Sequence, residues 1–317
     1  MLPEMTIPDV HCYEQIFAQA KERASHEKIR AALVTPTEPD MLRALAKMTA
    51  ENLVEPILIG EQKQFEAACK EHGIDFPSGE FVEAADPIVA VSKTCDLMNA
   101  GRINLIVKGR MLTGDLLELI FLPESGFVVK DRTVSHVAVL KPEKYKKLLL
   151  VSDGAVNVAP DLKTKLALID NLTKVSNSIG NLNPRIAMLA AVEVIYPQMP
   201  VTMEAAIIAK MWERGQIKGA MVDGPLSFDV AVDMFAAHSK GVKNSSVAGQ
   251  ADAMVAPNLE TANGIYKGMV LYGNCQMGGV IIGGKLPIAL GSRSDSWEGK
   301  FNSLLLGILN APSLEPL

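Results

Sequence analysis

Near the end of the chain, Gly291-Ser292-Arg293-Ser294-Asp295 stands just ahead of a stretch with helical apolar spacing. A helix start leaves backbone N–H groups unpaired and carries the positive end of the helix dipole, so it binds anions. An arginine there adds a planar, bidentate donor for phosphate oxygens. Ser292 and Arg293 are therefore candidates for holding a phosphate. The same residues also fit a plain helix start, with Ser292 or Ser294 as N-cap and Asp295 or Glu298 as a first-turn acid.

Other chemistry-bearing residues recur at the ends of short apolar runs. Lys108-Gly109-Arg110 follows residues 104–107, and Ser152-Asp153-Gly154 follows 148–151. Asp223-Gly224-Pro225 follows 219–222 and also fits a simple turn. Pro257-Asn258 follows 251–256. Gly283-Gly284-Lys285 follows 279–282, but Leu286 after the lysine breaks the phosphate-loop pattern GxxxxGK[ST]. Those glycines also fit close strand and helix packing, and Lys285 can still meet a coenzyme phosphate. In open parallel sheets, ligands bind beyond the strands' carboxyl ends. These residues would then form one ring at one sheet edge.

The cysteines and histidines carry less. Cys12, Cys69, Cys95 and Cys275 have no CxxC spacing and read as reduced thiols. His11, His26, His72, His136 and His238 form no HxxxH or HxxH pair, so no metal is expected.

The elements that must position these residues alternate. Strands are predicted at 29–35, 56–60, 104–109, 134–140, 148–151, 185–191, 219–222, 251–256, 279–282 and 287–290. Helices are predicted from Asp40, from Glu61 to Gly73, from Pro160, from about Thr202, over 229–238 and 259–272, and from about Ser294 to Leu309. Alternation of this kind implies an α/β fold with mostly parallel strands and helices on both faces.

The chain has 317 residues, beyond the size at which a single core stops growing, so two domains are expected. The charged stretch Lys141-Pro142-Glu143-Lys144 is the expected boundary, with the last helix packing back on the first domain. Lys and Arg number 31 against 36 Asp and Glu, a net charge of -5, which argues against a partner bound by phosphate neutralisation such as nucleic acid. No apolar run approaches the roughly 18 residues of a membrane span, and the opening Met1-Leu2-Pro3-Glu4-Met5 does not read as a signal peptide. A cytoplasmic protein with no membrane association is expected.

Several ordered motifs resemble the phosphate acetyltransferase and phosphate butyryltransferase family. They are Ser152 through Pro160 (SDGAVNVAP), Ala190-Ala191-Val192-Glu193, Val222 through Asp229 (VDGPLSFD), Val247 through Asp252 (VAGQAD), Pro257 through Asn263 (PNLETAN) and Pro287 through Ser296 (PIALGSRSDS). Lys108-Gly109-Arg110, Thr113-Gly114-Asp115 and Ser135-His136-Val137 look similar to it too. The resemblance covers roughly residues 104–310.

The resemblance implies two α/β/α domains with mostly parallel sheets and an interdomain cleft, isocitrate/isopropylmalate dehydrogenase-like. The first would take residues 1–142 plus 294–317 and the second residues 143–293. The implied reaction is acyl-CoA plus phosphate to acyl phosphate plus CoA, reversibly, without metal or covalent intermediate. CoA and acyl-CoA are then substrates, no cofactor is permanently bound, and a homodimer or larger homo-oligomer is expected. Ser292 and Arg293 match the pair that binds phosphate and stabilises the reacting acyl group. The acetyltransferase acid that takes the thiol proton falls on Gly299 here, and Ser-Arg-Ser-Asp-Ser looks more like the butyryltransferase branch. The base is therefore placed on Asp295, with Glu298 second. Lys108 and Arg110 are expected to reach the phosphate or the CoA diphosphate, and Asp153, Asp223, Asn258 and Lys285 complete the expected substrate-binding set. Two other classes stay open: a non-catalytic homologue, for which the lost acid at Gly299 speaks, and a metal-dependent dehydrogenase, which would need clustered metal ligands.

Overall fold

Short aliphatic runs become strands and the amphipathic stretches between them become helices. The structure, a computed structural model, describes residues 10–292 and 295–314. Arg293 and Ser294 thus lie outside the described residues.

The chain opens with α1 (Tyr13–His26), β1 (Arg30–Val34), α2 (Pro39–Ala50), β2 (Glu55–Gly60), α3 (Gln62–Glu71), β3 (Glu80–Glu83), α4 (Pro87–Asn99), β4 (Leu105–Lys108) and α5 (Thr113–Ile120). The middle holds β5 (Ser135–Lys141), β6 (Leu149–Ser152), α6 (Leu162–Ser178), β7 (Arg185–Leu189), α7 (Pro200–Glu213), β8 (Met221–Leu226), α8 (Phe228–Val232), α9 (Met234–Ser239), β9 (Ala253–Val255) and α10 (Leu259–Tyr272). The chain ends with β10 (Gln276–Ile282), β11 (Ile288–Ala289) and α11 (Trp297–Asn310).

Contacts divide the chain into two compact units. One takes Tyr13–Val134 and the residues from Met277 onward, and the other is built on Ser135–Gln276. This division differs from the expected boundaries at 142 and 294. β10 and β11 fall with the N-terminal half because β11 pairs in parallel with β4, Ile288 opposite Ile106 and Ala289 opposite Val107.

In the unit of Tyr13–Val134 and the residues from Met277 onward, the strand order is β3-β2-β1-β4-β11-β10. All neighbours are parallel except β10, which runs antiparallel to β11. Ala31 to Val34 in β1 are fully buried, as an apolar strand covered on both faces requires. β2 and β3 lie to one side of β1 and β4 to the other. Right-handed crossovers then send α2 and α3 to one face and α4 to the opposite face. α11 packs on α1 and α2, and α4 packs on α5. The reversal of strand order opens a crevice beyond the carboxyl ends of β1 and β4. There Gly109 donates its N–H to the Val34 carbonyl at 2.9 Å. A Cβ on Gly109 would stand 2.2 Å from the Thr35 carbonyl oxygen, so only glycine lets the two strand ends approach.

In the other unit the order is β5-β6-β9-β7-β8, with β5 antiparallel and the rest parallel. α6 packs on α7, α8 on β7 and α10 on β6. The four parallel strands present their carboxyl ends at one edge.

Three expectations change. Asp223-Gly224-Pro225 is not a turn: β8 runs through it to Leu226, with a register shift opposite Ala187 and Leu189. Gly224 allows this, since a Cβ there would meet the Met188 carbonyl at 2.8 Å. The helix expected over 229–238 is two short ones, because the Asp233 carboxylate stops the first and caps the second through Phe235 and Ala236 N–H. The final helix starts at Trp297, and its N-cap is Ser296, accepting from Gly299 N–H at 3.3 Å, rather than Ser292 or Ser294. The result is an α/β protein with mostly parallel strands.

Gly109→Ala is expected to lower stability by about 1–3 kcal/mol through overpacking at the β1 and β4 ends. A denaturant midpoint equal to that of the wild type would contradict this crowding.

Candidate active site

The expected site residues divide between the units. Lys108, Arg110, Lys285, Ser292, Asp295 and Glu298 belong to the first unit, that of β1 to β4, β10, β11 and α11, and Asp153, Asp223 and Asn258 to the second.

In the first unit, Ser292 and Asp295 come together. Ser292 N–H donates to Asp295 Oδ2 at 2.6 Å, and Asp295 N–H donates to the Ser292 carbonyl at 3.1 Å. These reciprocal bonds tie Ser292 to Asp295 directly before α11. Glu298 lies in the helix's first turn and is exposed. This pair and the loop after β4 follow parallel neighbours, β11 and β4, and so stand at the same sheet edge. Arg110 on that loop lines a cavity of about 470 Å³ with Thr35, Gly60, Glu61 and Asp86.

Lys108 does not reach outward. It is 3% exposed, and its ammonium donates to the carbonyls of Gly109 at 3.2 Å and Met111 at 3.1 Å. It therefore braces the loop that carries Arg110. Lys285 leaves the expected ring altogether. β10 is antiparallel to β11, so its carboxyl end lies at the opposite edge of the unit's strands. There Lys285 donates to the Asn99 side chain at 2.9 Å. The glycines around it serve packing: a Cβ on Gly284 would meet the Phe127 ring at 2.2 Å, and one on Gly278 the Asn302 backbone at 2.8 Å.

In the second unit, Asp153 is 2% exposed, and its carboxylate accepts from the N–H groups of Ala155, Val156 and Asn157 at 2.9–3.1 Å. Its work is to fold the loop after β6. Asn258 caps α10, accepting from Thr261 N–H at 2.9 Å, and borders a cavity of about 620 Å³. Lys165 and Glu204 line the same cavity and form an ion pair. Asp223 accepts from Gly224 N–H at 2.8 Å inside β8.

Three groupings escaped the sequence. Lys300 in α11 is 2% exposed and pairs with Glu38 at 3.1 Å. Its signal was a lysine at the head of an otherwise buried apolar stripe, where an unpaired charge cannot stay. Glu193, Ser227, Asp229 and Lys240 cluster beyond β7 and β8. The Ser227 hydroxyl bonds Glu193 or Asp229, and Lys240 donates to Ser227 Oγ at 3.0 Å. The hydrogen bonds of Ser227 and Lys240 hold Asp229 down at about 2, and Asp229 holds the Lys240 ammonium charged. A charged lysine cannot activate Ser227 as a nucleophile, so this cluster is an ion-pair network. His136 is the third: it is buried in β5 beside the Tyr266 ring, and its Nδ1 has no hydrogen-bond partner. Burial pushes its pKa down, against the pull of nearby Asp153. Among the described residues no group of His, Cys, Asp and Glu has the arrangement to hold a metal.

A sequence model described as "Phosphate acetyl/butaryl transferase" matches residues 123–308. The chain belongs to this phosphate acetyl/butyryl transferase family. Within the family, it is 36% identical to a phosphate butyryltransferase of Clostridium acetobutylicum over 302 residues, 95% of this chain and 99% of the relative. It is 33% identical to a phosphate acetyltransferase of Thermotoga maritima, over 92% of this chain and 98% of that one. A crystal structure of a branched-chain phosphotransacylase from Enterococcus faecalis superposes with a TM-score of 0.76 at 28% identity, covering 89% of this chain and 98% of the other. As a member of this family the chain is an acyltransferase that exchanges an acyl group between CoA and inorganic phosphate.

The His136 environment predicts a pH effect of known sign. The unfolded histidine takes its proton near pH 6.5, while the buried one resists it to lower pH. Below that pH the unfolded chain binds more protons, so stability falls as pH falls. Urea midpoints measured from pH 7.5 to 5.5 should decline, and His136→Asn should flatten the decline. Identical slopes for both proteins would contradict the assignment.

Proposed function

We propose that the chain moves short acyl groups, butyryl or acetyl, between CoA and phosphate, with the turn before α11 as the phosphate-handling element. The reciprocal Ser292–Asp295 bonds at a helix start carry this reading. In the thioester-forming direction the CoA sulfur attacks the acyl phosphate carbonyl carbon. The C–S bond forms, the C–O bond to phosphorus breaks, and the thiol proton leaves to a carboxylate. Ser292 holds the developing oxyanion, and Arg293 offsets the departing phosphate. A free thiol is mostly protonated at neutral pH, so a placed base matters.

Glu298 takes that proton in this reading, ahead of Asp295. The Asp295 carboxylate already accepts the Ser292 N–H at 2.6 Å and is needed for the shape of the turn. Glu298 has its carboxylate exposed in the first turn of α11. Arg110, at the edge of its cavity, meets the phosphates of CoA. Lys108, Asp153, Asp223 and Asn258 hold the loops at the strand ends rather than the substrate.

The same reading takes the units as two α/β/α domains of the isocitrate/isopropylmalate dehydrogenase type, which the parallel strands and flanking helices of each unit support. It includes a cytoplasmic setting, no resident cofactor, and a homodimer or larger. Among the described residues no helix is long and apolar enough to cross a membrane. Val194, Ile195 and Phe235 are exposed at 65%, 62% and 80%, apolar surface of the kind a second copy covers.

Acetyl, propionyl and butyryl phosphate, each incubated with CoA, should give thioester absorbance, and their relative rates fix the acyl preference. Arg293→Ala is expected to cost about 10²–10³ in kcat. Glu298→Gln should cost about 10²–10⁴ and remove the acid limb of the pH–rate profile, with Asp295→Asn less affected. No thioester from any of the three would overturn the proposal. CoA binding without turnover would favour the non-catalytic alternative.

A further inference from the structure

We propose that Lys300 is the positioning residue of the Ser292–Asp295 turn. The assignment of a purpose to that turn rests on the acyltransferase reading above, whereas the placement of Lys300 does not.

Lys300 sits at the end of the first turn of α11, four residues past the N-cap Ser296. Its side chain is 2% exposed. The ammonium donates to the Asp295 carbonyl at 3.0 Å and to Glu38 Oε1 at 3.1 Å, with Asp40 Oδ2 at 3.8 Å. The other Glu38 oxygen accepts Met41 N–H at 2.7 Å and so caps α2. The aliphatic stem of Lys300 runs against Gly291, where a Cβ would stand 2.7 Å from Lys300 Cγ. One side chain thus joins the start of α11, the turn before it and the start of α2.

Asp295 is fixed at both of its polar ends. Its carboxylate takes the Ser292 N–H at 2.6 Å and its carbonyl takes the Lys300 ammonium. A carbonyl turned down onto a buried ammonium leaves Asp295 little freedom to reorient. The bond is charge-assisted and shielded from water, the circumstance in which such bonds are strong. Without the ammonium, the half-buried Asp295 carbonyl and Glu38 carboxylate would both lose this donor. The turn would then relax, and the donors that must meet the reacting atoms would shift. A misplacement of about 1 Å is enough to cost about 100-fold in rate.

A simpler role for Lys300 would be to neutralise Glu38, and four variants separate the two. Lys300→Met removes the ammonium. Glu38→Gln keeps an oxygen to cap α2 and leaves the Lys300 bond to Asp295. The double variant removes both charges, and Lys300→Arg keeps a cation. The readouts are amide hydrogen exchange at Ser292 and Asp295, the denaturant midpoint, and kcat and KM for butyryl phosphate and CoA. The double variant should fold with a midpoint above that of Lys300→Met, yet exchange fast at Ser292 and Asp295. Its kcat should stay about 100-fold down with the KM for CoA unchanged. Glu38→Gln should keep slow exchange and turnover, and Lys300→Arg should recover part of both.

Wild-type exchange and turnover in the double variant would overturn the proposal, leaving Lys300 as a counter-charge only. Fast exchange in Glu38→Gln alone would overturn it as well, by moving the role to Glu38. Should the wild type make no thioester, the acyltransferase reading fails, and the exchange comparison still decides for or against Lys300.

Discussion

A buried ammonium in contact with a half-buried carboxylate is the constraint around which the starts of α11 and α2 are arranged. Lys300 and Glu38 stand 3.1 Å apart with the lysine 2% exposed. Removing one partner of such a pair leaves an uncompensated charge, typically at a cost of about 3–5 kcal/mol. Both partners also hold backbone: Glu38 an N–H of α2, Lys300 the carbonyl of Asp295. The second unit repeats the device with different residues. Asp153 gathers three consecutive N–H groups of the loop after β6, and Lys165 pairs with Glu204 beside a cavity. In both units the loops at the strand ends are shaped by buried charge and not by apolar packing alone.

Strand direction decides which charged residues stand together. Parallel neighbours deliver the loop after β4 and the turn after β11 to one edge. The single reversal at β10 sends Lys285 to the other edge, where it bonds Asn99. In the second unit β6, β9, β7 and β8 run the same way, so Asp153 and Asn258 follow strands whose ends share an edge. An acyl transfer in which one group must hold phosphate and another must take a proton requires such rigid, pre-arranged loops.

The sequence made the alternation legible because buried parallel strands read as short apolar runs. β1, β2, β4 and β6 fall close to the predicted spans, and α10 matches residues 259–272. Other elements had no such signature. β3 is Glu80-Phe81-Val82-Glu83, an edge strand with no fully buried residue. α1 buries only Tyr13, Ile16 and Ala20, too few for a visible stripe. α4 was hidden by its mixture of small, apolar and polar buried residues, Ala90, Thr94, Cys95 and Leu97 among them. For the site, residue type located Ser292 and Asp295, whose mutual bonds are local in sequence. Lys300 with Glu38, and Glu193 with Lys240, are contacts across 262 and 47 residues, and no local pattern names the partner even where, as for Lys300, it marks a buried lysine. The direction of β10 was equally invisible, since an apolar run carries no record of its orientation.

The proposed acyl transfer requires the stretch before α11 to hold phosphate through the Ser292 hydroxyl and Arg293. Titration of inorganic phosphate into ¹⁵N-labelled protein, followed at the Ser292 and Trp297 amides, addresses it directly. Saturable shifts at these amides that disappear in Arg293→Ala are the predicted result. Saturable phosphate binding that leaves both amides unmoved, or that persists unchanged in Arg293→Ala, would contradict it.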